Sequence, residues 1–434
     1  MKRSLTLSLL SAPVLLFAQE LYFPPTTGDT WDSTDPATLG WCTDEMPALR
    51  EFLQTSNTKA FIVLKDGKIV IEEYFGTFTQ DSSWYWASAG KSLTAFLAGM
   101  AQQEGLLDVD QPTSTYLGQG WTSCTPEQEA AITVRNQLSM TTGLDDGGTN
   151  FDCLDPECLT YLADPGTRWA YHNGPYTLMD GVIENATGQN LNAYVYSRLG
   201  NSTGILGLFI QLGANNVFFS KARAMARFGL LAQNRGTWES TPILNDDTWF
   251  EAMTTPSQNL NKAYGLLWWL NGQEDFMLPG IQVVFPGPLM PDAPPDTYSA
   301  MGKNGQIVNV SPSTGLVVVR MGNLPGDLFV PNVYNNDIWE RLNAVICTST
   351  GIGDRAEVRP AAFPNPTTGM IRMHHLANNT TAELISSDGR ATQVHVVDGT
   401  LDLRSFPAGV YLVRTQDTAG RVTTQRVVLG GPRQ

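Results

Sequence analysis

Serine and lysine, rather than histidine, are the residues of this chain whose types and spacing predict covalent chemistry. Of the four histidines, His172 alone precedes the C-terminal region. A serine–histidine–aspartate triad would have to use His172, and no G-x-S-x-G motif exposes a serine for it. The same scarcity disfavours a multi-histidine metal site, so we expect no metal and no cofactor. If the protein is a nucleophilic hydrolase, we expect its base not to be histidine.

Ser88 and Lys91 form an S-x-x-K motif at the predicted start of a helix. Three residues span about one helical turn, so the two side chains lie on one face. Desolvation or nearby positive charge lowers the pKa of a lysine, and the neutral amine can then accept a proton from serine. The backbone N–H of Ser88 would point into the site, because the first N–H groups of a helix lack intrahelical partners.

A second S-x-x-K match, from Ser56 to Lys59, lies in a polar turn with no apolar helix after it. The segment after Ser88 instead has apolar residues at helical spacing, with Leu93 and Leu97 on one face. This context favours Ser88 as the nucleophile.

Two further motifs follow Ser88 in the chain. The motifs S-x-x-K, Y-x-N and K-x-G occur in that order, at residues 88–91, 171–173 and 303–305. Other matches to the last two motifs, at residues 334–336 and 65–67, are out of order. The second of these is also a predicted hairpin turn, since an Asp-Gly pair there separates two apolar runs.

This order of motifs resembles that of penicillin-binding proteins, class C β-lactamases and related esterases and amidases. The resemblance covers residues 41–347, and segments that begin at Phe61, Thr133 and Tyr264 are similar to the 6-aminohexanoate-dimer hydrolase branch. It implies a serine hydrolase with an α/β (α+β) domain, in which helices flank an antiparallel sheet. The lack of an S-D-N motif disfavours the class A form.

The resemblance also implies catalytic roles for three residues. Ser88 would attack a carbonyl to form an acyl-enzyme, and Lys91 and Tyr171 would share the general-base and general-acid work. Tyr171 could act as a base only if nearby cations depressed its pKa, and Lys91 and Lys303 are the candidates.

Substrate binding and the oxyanion hole are assigned by the same resemblance. Asn173 would hold the substrate amide or orient Lys91. Lys303 would face a substrate carboxylate or the catalytic tyrosine. The oxyanion hole would use the backbone N–H groups of Ser88 and Gln306.

Three motif positions bear on the choice of substrate. Gly305 would allow the strand backbone to approach the substrate closely. Asn304 replaces the usual threonine, and His172 fills the middle of Y-x-N, which makes β-lactam hydrolysis less expected. We expect small esters or amides as substrates. Two alternatives stay open: a β-lactamase or DD-peptidase that acts on β-lactams or peptidoglycan peptides, and a catalytically silent binding protein on the same scaffold.

Composition and predicted elements divide the chain into four parts. Residues 1–18 are a predicted secretion signal, since a basic start precedes an apolar segment too short to span a bilayer. Residues 19–348 form the predicted hydrolase domain, with strands at both ends and helices between. A polar linker follows at 349–361. Residues 362–434 show short strands separated by turns, which predict a small β-sandwich.

The last of these parts resembles the C-terminal sorting domain of the type IX secretion system. The segments that begin at Phe363 and Pro407 carry this resemblance. It implies a secreted or cell-surface protein whose partner is that secretion machinery. The net charge of −15 and the absence of a basic run exclude nucleic-acid binding, and no further segment has the length of a transmembrane helix.

The five cysteines also fit an exported protein, in which thiols can oxidise. Cys153 and Cys158 lie close together in a loop and are the first predicted pair. Cys42 and Cys347 flank the hydrolase domain and are a weaker second pair. Cys124 would remain unpaired.

Overall fold

A computed structural model describes residues 21–147, 151–325 and 330–347. It also describes residues 362–429, except for the gaps 364–366, 368, 374–380, 387–389, 398, 408 and 417–421. The predicted signal peptide at 1–18 and the predicted linker at 349–361 lie outside the described residues.

Helices and strands alternate irregularly along the hydrolase part, and the C-terminal part contains strands. Within the described residues the α-helices are α1 (Met46–Thr55), α2 (Gly90–Gln103), α3 (Ser114–Leu117), α4 (Pro126–Ala131), α5 (Val134–Leu138), α6 (Asn173–Thr177), α7 (Met179–Thr187), α8 (Leu191–Val195), α9 (Asn201–Thr203), α10 (Ala222–Gln233), α11 (Asp247–Thr254) and α12 (Asn332–Ile346). The strands are β1 (Thr58–Lys65), β2 (Lys68–Tyr74), β3 (Ser83–Tyr85), β4 (Gly207–Leu212), β5 (Asn215–Lys221), β6 (Thr237–Trp238), β7 (Thr241–Pro242), β8 (Trp269–Leu270), β9 (Asp275–Phe276), β10 (Phe285–Pro286), β11 (Tyr298–Gly302), β12 (Gln306–Ser311), β13 (Leu316–Gly322), β14 (Ala362–Phe363), β15 (Met370–Met373), β16 (Thr381–Ser386), β17 (Ala391–Val397), β18 (Thr400–Asp402), β19 (Gly409–Gln416) and β20 (Val422–Leu429).

The central sheet joins the two ends of the hydrolase part. Its strand order is β2-β1-β13-β12-β11-β8, and neighbouring strands are antiparallel. The predicted hairpin between β1 and β2 is confirmed, and Asp66 and Gly67 at its turn have φ of 49° and 84°. Two successive positive φ values are typical of a type I′ turn. The expectation that C-terminal strands complete the sheet is also confirmed, because β1 pairs with β13.

Helices cover both faces of this sheet. Helix α10 lies close against one face, where a Cβ on Gly229 would approach the Val317 side chain to 2.4 Å. Helix α12 covers the other face, where Asn309 and Asn335 exchange amide hydrogen bonds of 2.8 and 2.7 Å. Strands β12 and β13 are therefore buried along their whole length.

Two structural features beside the site were not predicted from the sequence. One is β11, and the other is a small antiparallel sheet of order β3-β5-β4. The apolar periodicity that begins at Ser220 predicts a helix, and α10 begins at Ala222, after β5. The apolar run at residues 265–270 predicts a strand, but β8 covers only its end, because Leu267 has a left-handed φ of 58°.

The C-terminal strands form a separate unit with its own core. Strands β14–β20 make one seven-stranded sheet, since β17 pairs with both β16 and β18. Ile371, Val396 and Val413 belong to the buried cluster that this sheet encloses. The expected all-β fold of the small C-terminal module is confirmed, with its strands arranged as a half-barrel sheet. No helix in the described part of the chain is long and apolar enough to cross a membrane.

The cysteines form two disulfides in the described residues. Cys42 is bonded to Cys347, and Cys153 is bonded to Cys158. Cys124 is a free thiol. The first bond joins the chain before α1 to the end of α12, and the second closes a local loop.

Candidate active site

A sharp turn between β3 and α2 presents Ser88. The residue before it, Ala87, has a left-handed φ of 47°, which is uncommon for a residue with a side chain and is often found at functional sites. Trp86 is fully buried and its N–H donates to the Phe218 carbonyl, which anchors the turn. Ser88 was expected at the helix start and lies in the 3-10 turn Ala87–Ala89, directly before α2.

Lys91 lies beneath the serine, in the first turn of α2. Its Nζ is 3.1 Å from Ser88 Oγ, and 3% of the residue is exposed. The same Nζ lies 5.1 Å from the ring centre of Tyr171 and 4.0 Å from that of Tyr176. Burial lowers the pKa of Lys91 to about 7, although negatively charged neighbours oppose this change. A neutral amine is thus available near neutral pH to accept the serine proton.

Tyr171 is buried on the other side of the serine. Its ring stacks on Trp269, with 5.9 Å between the centroids. Burial raises the pKa of Tyr171 above its ordinary value, and a hydrogen bond with Ser88 only partly opposes this. The condition set for Tyr171 to act as a base, a pKa depressed by nearby cations, is therefore not met. Protonated at neutral pH, Tyr171 can donate a proton but is not a resting base.

Asn173, the last residue of Y-x-N, connects the site to a carboxylate. Its Nδ2 donates to Asp152 Oδ1 at 2.7 Å. Its Oδ1 is buried and has no hydrogen-bond partner within the described residues. A buried amide oxygen without a partner is costly, so this atom is available to accept from a substrate N–H.

A second carboxylate, Asp180 on α7, was missed in the sequence analysis. Burial raises its pKa to about 7, and the hydrogen bond from Asn216 (Nδ2 to Oδ2, 2.9 Å) opposes this. Asp180 and Asp152 are the charges that raise the pKa of Lys91 against its burial. The available sequence signal was an acidic residue within the apolar α7, two helical turns after Asn173.

The end of β11, rather than the K-x-G motif, lies against the nucleophile. A Cβ on Gly302 would come within 2.5 Å of the Trp86 carbonyl oxygen and 2.9 Å of the Ser88 nitrogen. A Cβ on Gly305 would instead meet the Arg320 guanidinium at 2.4 Å. Gly302, rather than Gly305, is therefore the glycine whose backbone lies against the Ser88 turn. The physical reason is that β11 ends at Gly302, and residues 303–305 form the loop to β12.

The alternating direction of backbone groups along β11 shows which of them lack a partner in β8 at this end of the strand. Asn271 N–H donates to the Thr297 carbonyl at 2.8 Å, so Thr297 faces β8. The backbone N–H and C=O groups of successive residues point to opposite edges of a strand. Thr297 and Lys303 are an even number of residues apart, so the N–H of Lys303 points to the same edge as the groups of Thr297. Strand β8 pairs only with Tyr298 and Ser299, so it ends before reaching this N–H.

Gln306, expected to supply an oxyanion donor, lies inside the sheet. It is in register with Gly302, which by the same alternation faces β12. The backbone N–H of Gln306 therefore points into the β11–β12 ladder. Its buried side chain donates to the Gly322 carbonyl at 2.7 Å and accepts from the Gly322 N–H at 3.1 Å. This geometry gives Gln306 a structural role.

Three other residues were predicted at the site, and they differ in exposure and contacts: Lys303, Asn304 and His172. The side chain of Lys303 is exposed. Asn304 has a left-handed φ of 62°, and its Nδ2 donates to Tyr85 Oη at 2.6 Å. His172 is buried and stacked on Phe151, with 6.1 Å between centroids, and burial lowers its pKa to about 4. His172 is thus neutral at physiological pH.

The competing S-x-x-K match does not assemble a site. Ser56 Oγ lies 2.7 Å from Tyr334 Oη, at the end of α1. Lys59 Nζ lies over the ring of Trp84, 4.3 Å from its centre. The serine and lysine of this match therefore have separate partners.

Family comparisons agree with this geometry. The profile described as Beta-lactamase matches residues 50–338. The chain belongs to the beta-lactamase family. A second profile, described as Secretion system C-terminal sorting domain, matches residues 361–429. Both predicted resemblances are confirmed: this beta-lactamase-family protein is a serine hydrolase with a type IX sorting domain, which supports secretion or a cell-surface location.

Individual relatives of this beta-lactamase-family chain are distant. The 6-aminohexanoate-dimer hydrolase of Paenarthrobacter ureafaciens is 24% identical over 348 residues, or 67% of this chain and 81% of that protein. A penicillin-binding protein homologue from Caulobacter crescentus superposes with a TM-score of 0.53 at 15% identity, covering 70% of this chain and 99% of that one. A family VIII carboxylesterase superposes with a TM-score of 0.54 at 16% identity, covering 72% and 99%. At these identities the two structures show a shared fold.

Proposed function

We propose that this protein is a secreted hydrolase that cleaves small esters or amides through an acyl-enzyme on Ser88. The observation that carries the proposal is the 3.1 Å approach of the buried Lys91 amine to Ser88 Oγ. Burial lowers the pKa of this lysine to about 7, which suits a general base near neutral pH.

Acylation begins when neutral Lys91 takes the hydroxyl proton of Ser88. Oγ then bonds to the substrate carbonyl carbon, and the N–H groups of Ser88 and Lys303 stabilise the resulting oxyanion. Tyr171 donates its proton to the leaving alcohol or amine as the bond to carbon breaks. Lys91 returns its proton to Tyr171, and water releases the acyl group by the same steps.

The choice of esters and amides rests on the polar groups around the serine. The unpaired Oδ1 of Asn173 suits an amide N–H. Two relatives support this class, since one is named a 6-aminohexanoate-dimer hydrolase and another a carboxylesterase.

Covalent labelling tests the proposal directly. A fluorophosphonate should add one adduct mass to the intact protein and none to Ser88→Ala. Hydrolysis of p-nitrophenyl acetate should fall by about 10^3 to 10^6-fold in that variant. Ser56→Ala, which removes the serine of the competing motif, serves as the matched control and should keep both properties. Labelling that survives in Ser88→Ala would refute the assignment.

A substrate panel separates the proposed activity from the alternatives. We expect turnover of p-nitrophenyl esters or short amide oligomers to exceed that of a chromogenic cephalosporin. Faster turnover of the cephalosporin would instead identify a β-lactamase. No acyl-enzyme with any reagent would identify a silent binding protein.

We further propose that residues 1–18 direct the chain out of the cytoplasm and that residues 362–434 direct it through the type IX machinery. The sorting-domain match supports the second step. Deleting residues 362–434 should leave the hydrolase inside the cell envelope, as measured by fractionating cells of a host with this system. Unchanged surface delivery would contradict the proposal.

A further inference from the structure

A row of exposed apolar side chains lies on the small β3-β5-β4 sheet. Leu206, Leu208, Ile210 and Leu212 are 54%, 56%, 43% and 50% exposed. Alternate residues of a strand project from the same face, so these four side chains form one continuous strip. We call these four residues the β4 row.

This row continues across the sheet toward the nucleophile. Leu208 is in register with Phe219 on β5, and Phe219 is in register with Tyr85 on β3. Residues in register share a face of the sheet, and the rings of Phe219 and Tyr85 are 6.2 Å apart. The apolar face therefore extends from the β4 row to Tyr85, three residues before Ser88.

Tyr85 also connects this face to the open edge of β11. Its hydroxyl accepts a hydrogen bond from Asn304 at 2.6 Å. Asn304 follows Gly302 by two residues, and Gly302 lies against the Ser88 backbone. A substrate acylating Ser88 beside Gly302 would therefore have the apolar face next to its own chain.

The apolar character of this face indicates what kind of ligand it can bind. Residues 206–220 contain no charged side chain, although the whole chain carries a net charge of −15. Exposed apolar residues are ordinary when scattered, but a contiguous patch marks a binding surface. An uncharged aliphatic chain matches this surface, and the one charged residue of β5, Lys221, is already paired with Asp81 at 2.6 Å.

Pairing of a further strand is obstructed at the edge of β4. The side chain of Asn192 accepts from the Phe209 N–H at 2.7 Å and donates to the Phe209 carbonyl at 3.0 Å. One asparagine thus occupies both backbone groups that an added strand would need at this residue. The sheet face, rather than its edge, is available for binding.

We propose that the apolar face from Tyr85 to the β4 row binds the aliphatic chain of the ester or amide substrate. The enzyme then prefers substrates with a chain of several methylenes over those with a short acyl group. This inference rests on the proposed hydrolase function and specifies its substrate class. Each methylene removed from water contributes about fourfold to kcat/KM.

A chain-length series tests the proposal. kcat/KM would be measured for p-nitrophenyl acetate and octanoate, below the micelle concentration, with the full-length protein. In Leu208→Thr/Ile210→Thr, in which both new residues are β-branched and suit a strand, the value for octanoate should fall by about tenfold. The value for acetate should stay within about twofold. Val333→Thr, an exposed apolar residue on α12, is the matched control and should leave both values unchanged.

Three results would overturn the inference. An unchanged octanoate value, or an equal loss on both esters, would show that the face does not bind the acyl chain. A change in sedimentation mass with an unchanged chain-length ratio would assign the face to a second copy of the protein. If the double variant no longer floats with phosphatidylcholine vesicles but keeps the wild-type chain-length ratio, the face would be assigned to binding a lipid surface.

Failure of this inference is distinguishable from failure of the proposed function. If Ser88→Ala still hydrolyses both esters, the assignment of Ser88 as the nucleophile is wrong. If Ser88→Ala is inactive and the double variant keeps the wild-type ratio, only the chain-binding face is excluded.

Discussion

The surroundings of Lys91 determine when it can act as a base. Burial removes water from the ammonium group and lowers the pKa to about 7, while Asp152 and Asp180 raise it. The rings of Tyr171 and Tyr176 lie within cation–π distance and also stabilise the charged form. Desolvation is the largest effect on the pKa of Lys91 and outweighs its attraction to the two carboxylates.

The pH dependence of acylation should follow this balance. Because the pKa of Lys91 is lowered to about 7, kcat/KM for a neutral ester should rise with pH through that region. Asp180→Asn removes a charge that favours the ammonium, so the acid limb of the profile should move to lower pH. Initial rates between pH 5 and 9 measure it.

A buried carboxyl elsewhere provides the control for this prediction. Burial raises the pKa of Asp337, on α12, to about 6. Asp337→Asn should leave the acid limb unchanged. An upward movement in Asp180→Asn, or an equal movement in both variants, would contradict the role given to Asp180.

Tyr171→Phe should separate proton donation from packing. The variant keeps the ring beside Lys91 but removes the proton for the leaving group, so kcat should fall by about 10^2 to 10^4-fold. The acid limb should stay in place, because the lysine keeps its surroundings. Tyr176→Phe is the matched control: its hydroxyl contacts Thr94 at 3.1 Å, and kcat should change by less than about tenfold. Equal kcat values in the two variants would contradict a donor role for Tyr171.

At the scale of elements, the site forms where the turn before α2 meets the end of β11. Gly302 has an extended backbone, with φ of −136° and ψ of 158°, so any residue could adopt its conformation. Glycine is required there only because there is no room for a side chain: backbone atoms of Trp86 and Ser88 lie too close to the position of a Cβ. The spacing between the Ser88 and Lys303 N–H groups, which we propose as the oxyanion donors, depends on this contact.

Gly302→Ala should therefore displace the oxyanion donors. The rate of labelling by a fluorophosphonate should fall by about 10^2-fold or more, comparable to the loss of one donor. Gly305→Ala is the informative comparison, since Gly305 has φ of 77° and its Cβ would meet Arg320. That variant should lower the melting temperature, because a left-handed backbone costs alanine about 1–2 kcal/mol, with a smaller effect on labelling. Slower labelling of Gly305→Ala than of Gly302→Ala would instead favour Gly305 of the K-x-G motif as the glycine beside the nucleophile.

At the scale of the whole molecule, a covalent bond joins the two ends of the hydrolase part. Cys42 is bonded to Cys347, 305 residues away, and its N–H also donates to the Val345 carbonyl at 2.8 Å. The bond between Cys153 and Cys158 spans five residues beside α6, where the Cys153 carbonyl lies against Gly174. One disulfide constrains the whole domain, and the other constrains a loop near Asn173.

The two disulfides should differ in their effect on stability. Cys42→Ser/Cys347→Ser should lower the free energy of unfolding by about 2–5 kcal/mol, because a long closed loop removes more unfolded-state entropy than a short one. Cys153→Ser/Cys158→Ser should cost less stability and change KM more, through Asn173. Denaturant unfolding followed by tryptophan fluorescence measures the first effect. A larger stability loss in the second variant would contradict the prediction.

The sequence by itself determined the features that depend on neighbouring residues. The hairpin at Asp66-Gly67 and the helix after Ser88 follow from local turn chemistry and periodicity. The apolar helix after Ser88 selected it over Ser56, the order of three motifs indicated the family, and the scarcity of histidine indicated Lys91 as the base. The family resemblance and the C-terminal sorting domain were also recognisable from short segments.

The tertiary structure decided those features of the site that depend on contacts between segments distant in the sequence. Gly302 rather than Gly305 approaches Ser88, because the end of β11 is defined by its register with β12. The effect of Asp180 on Lys91 and the apolar face beside Tyr85 likewise depend on packing between distant elements. Contacts of this kind leave no local periodicity in the chain. The serine could therefore be proposed as the nucleophile from sequence, whereas the groups proposed to tune its base and bind its substrate required the fold.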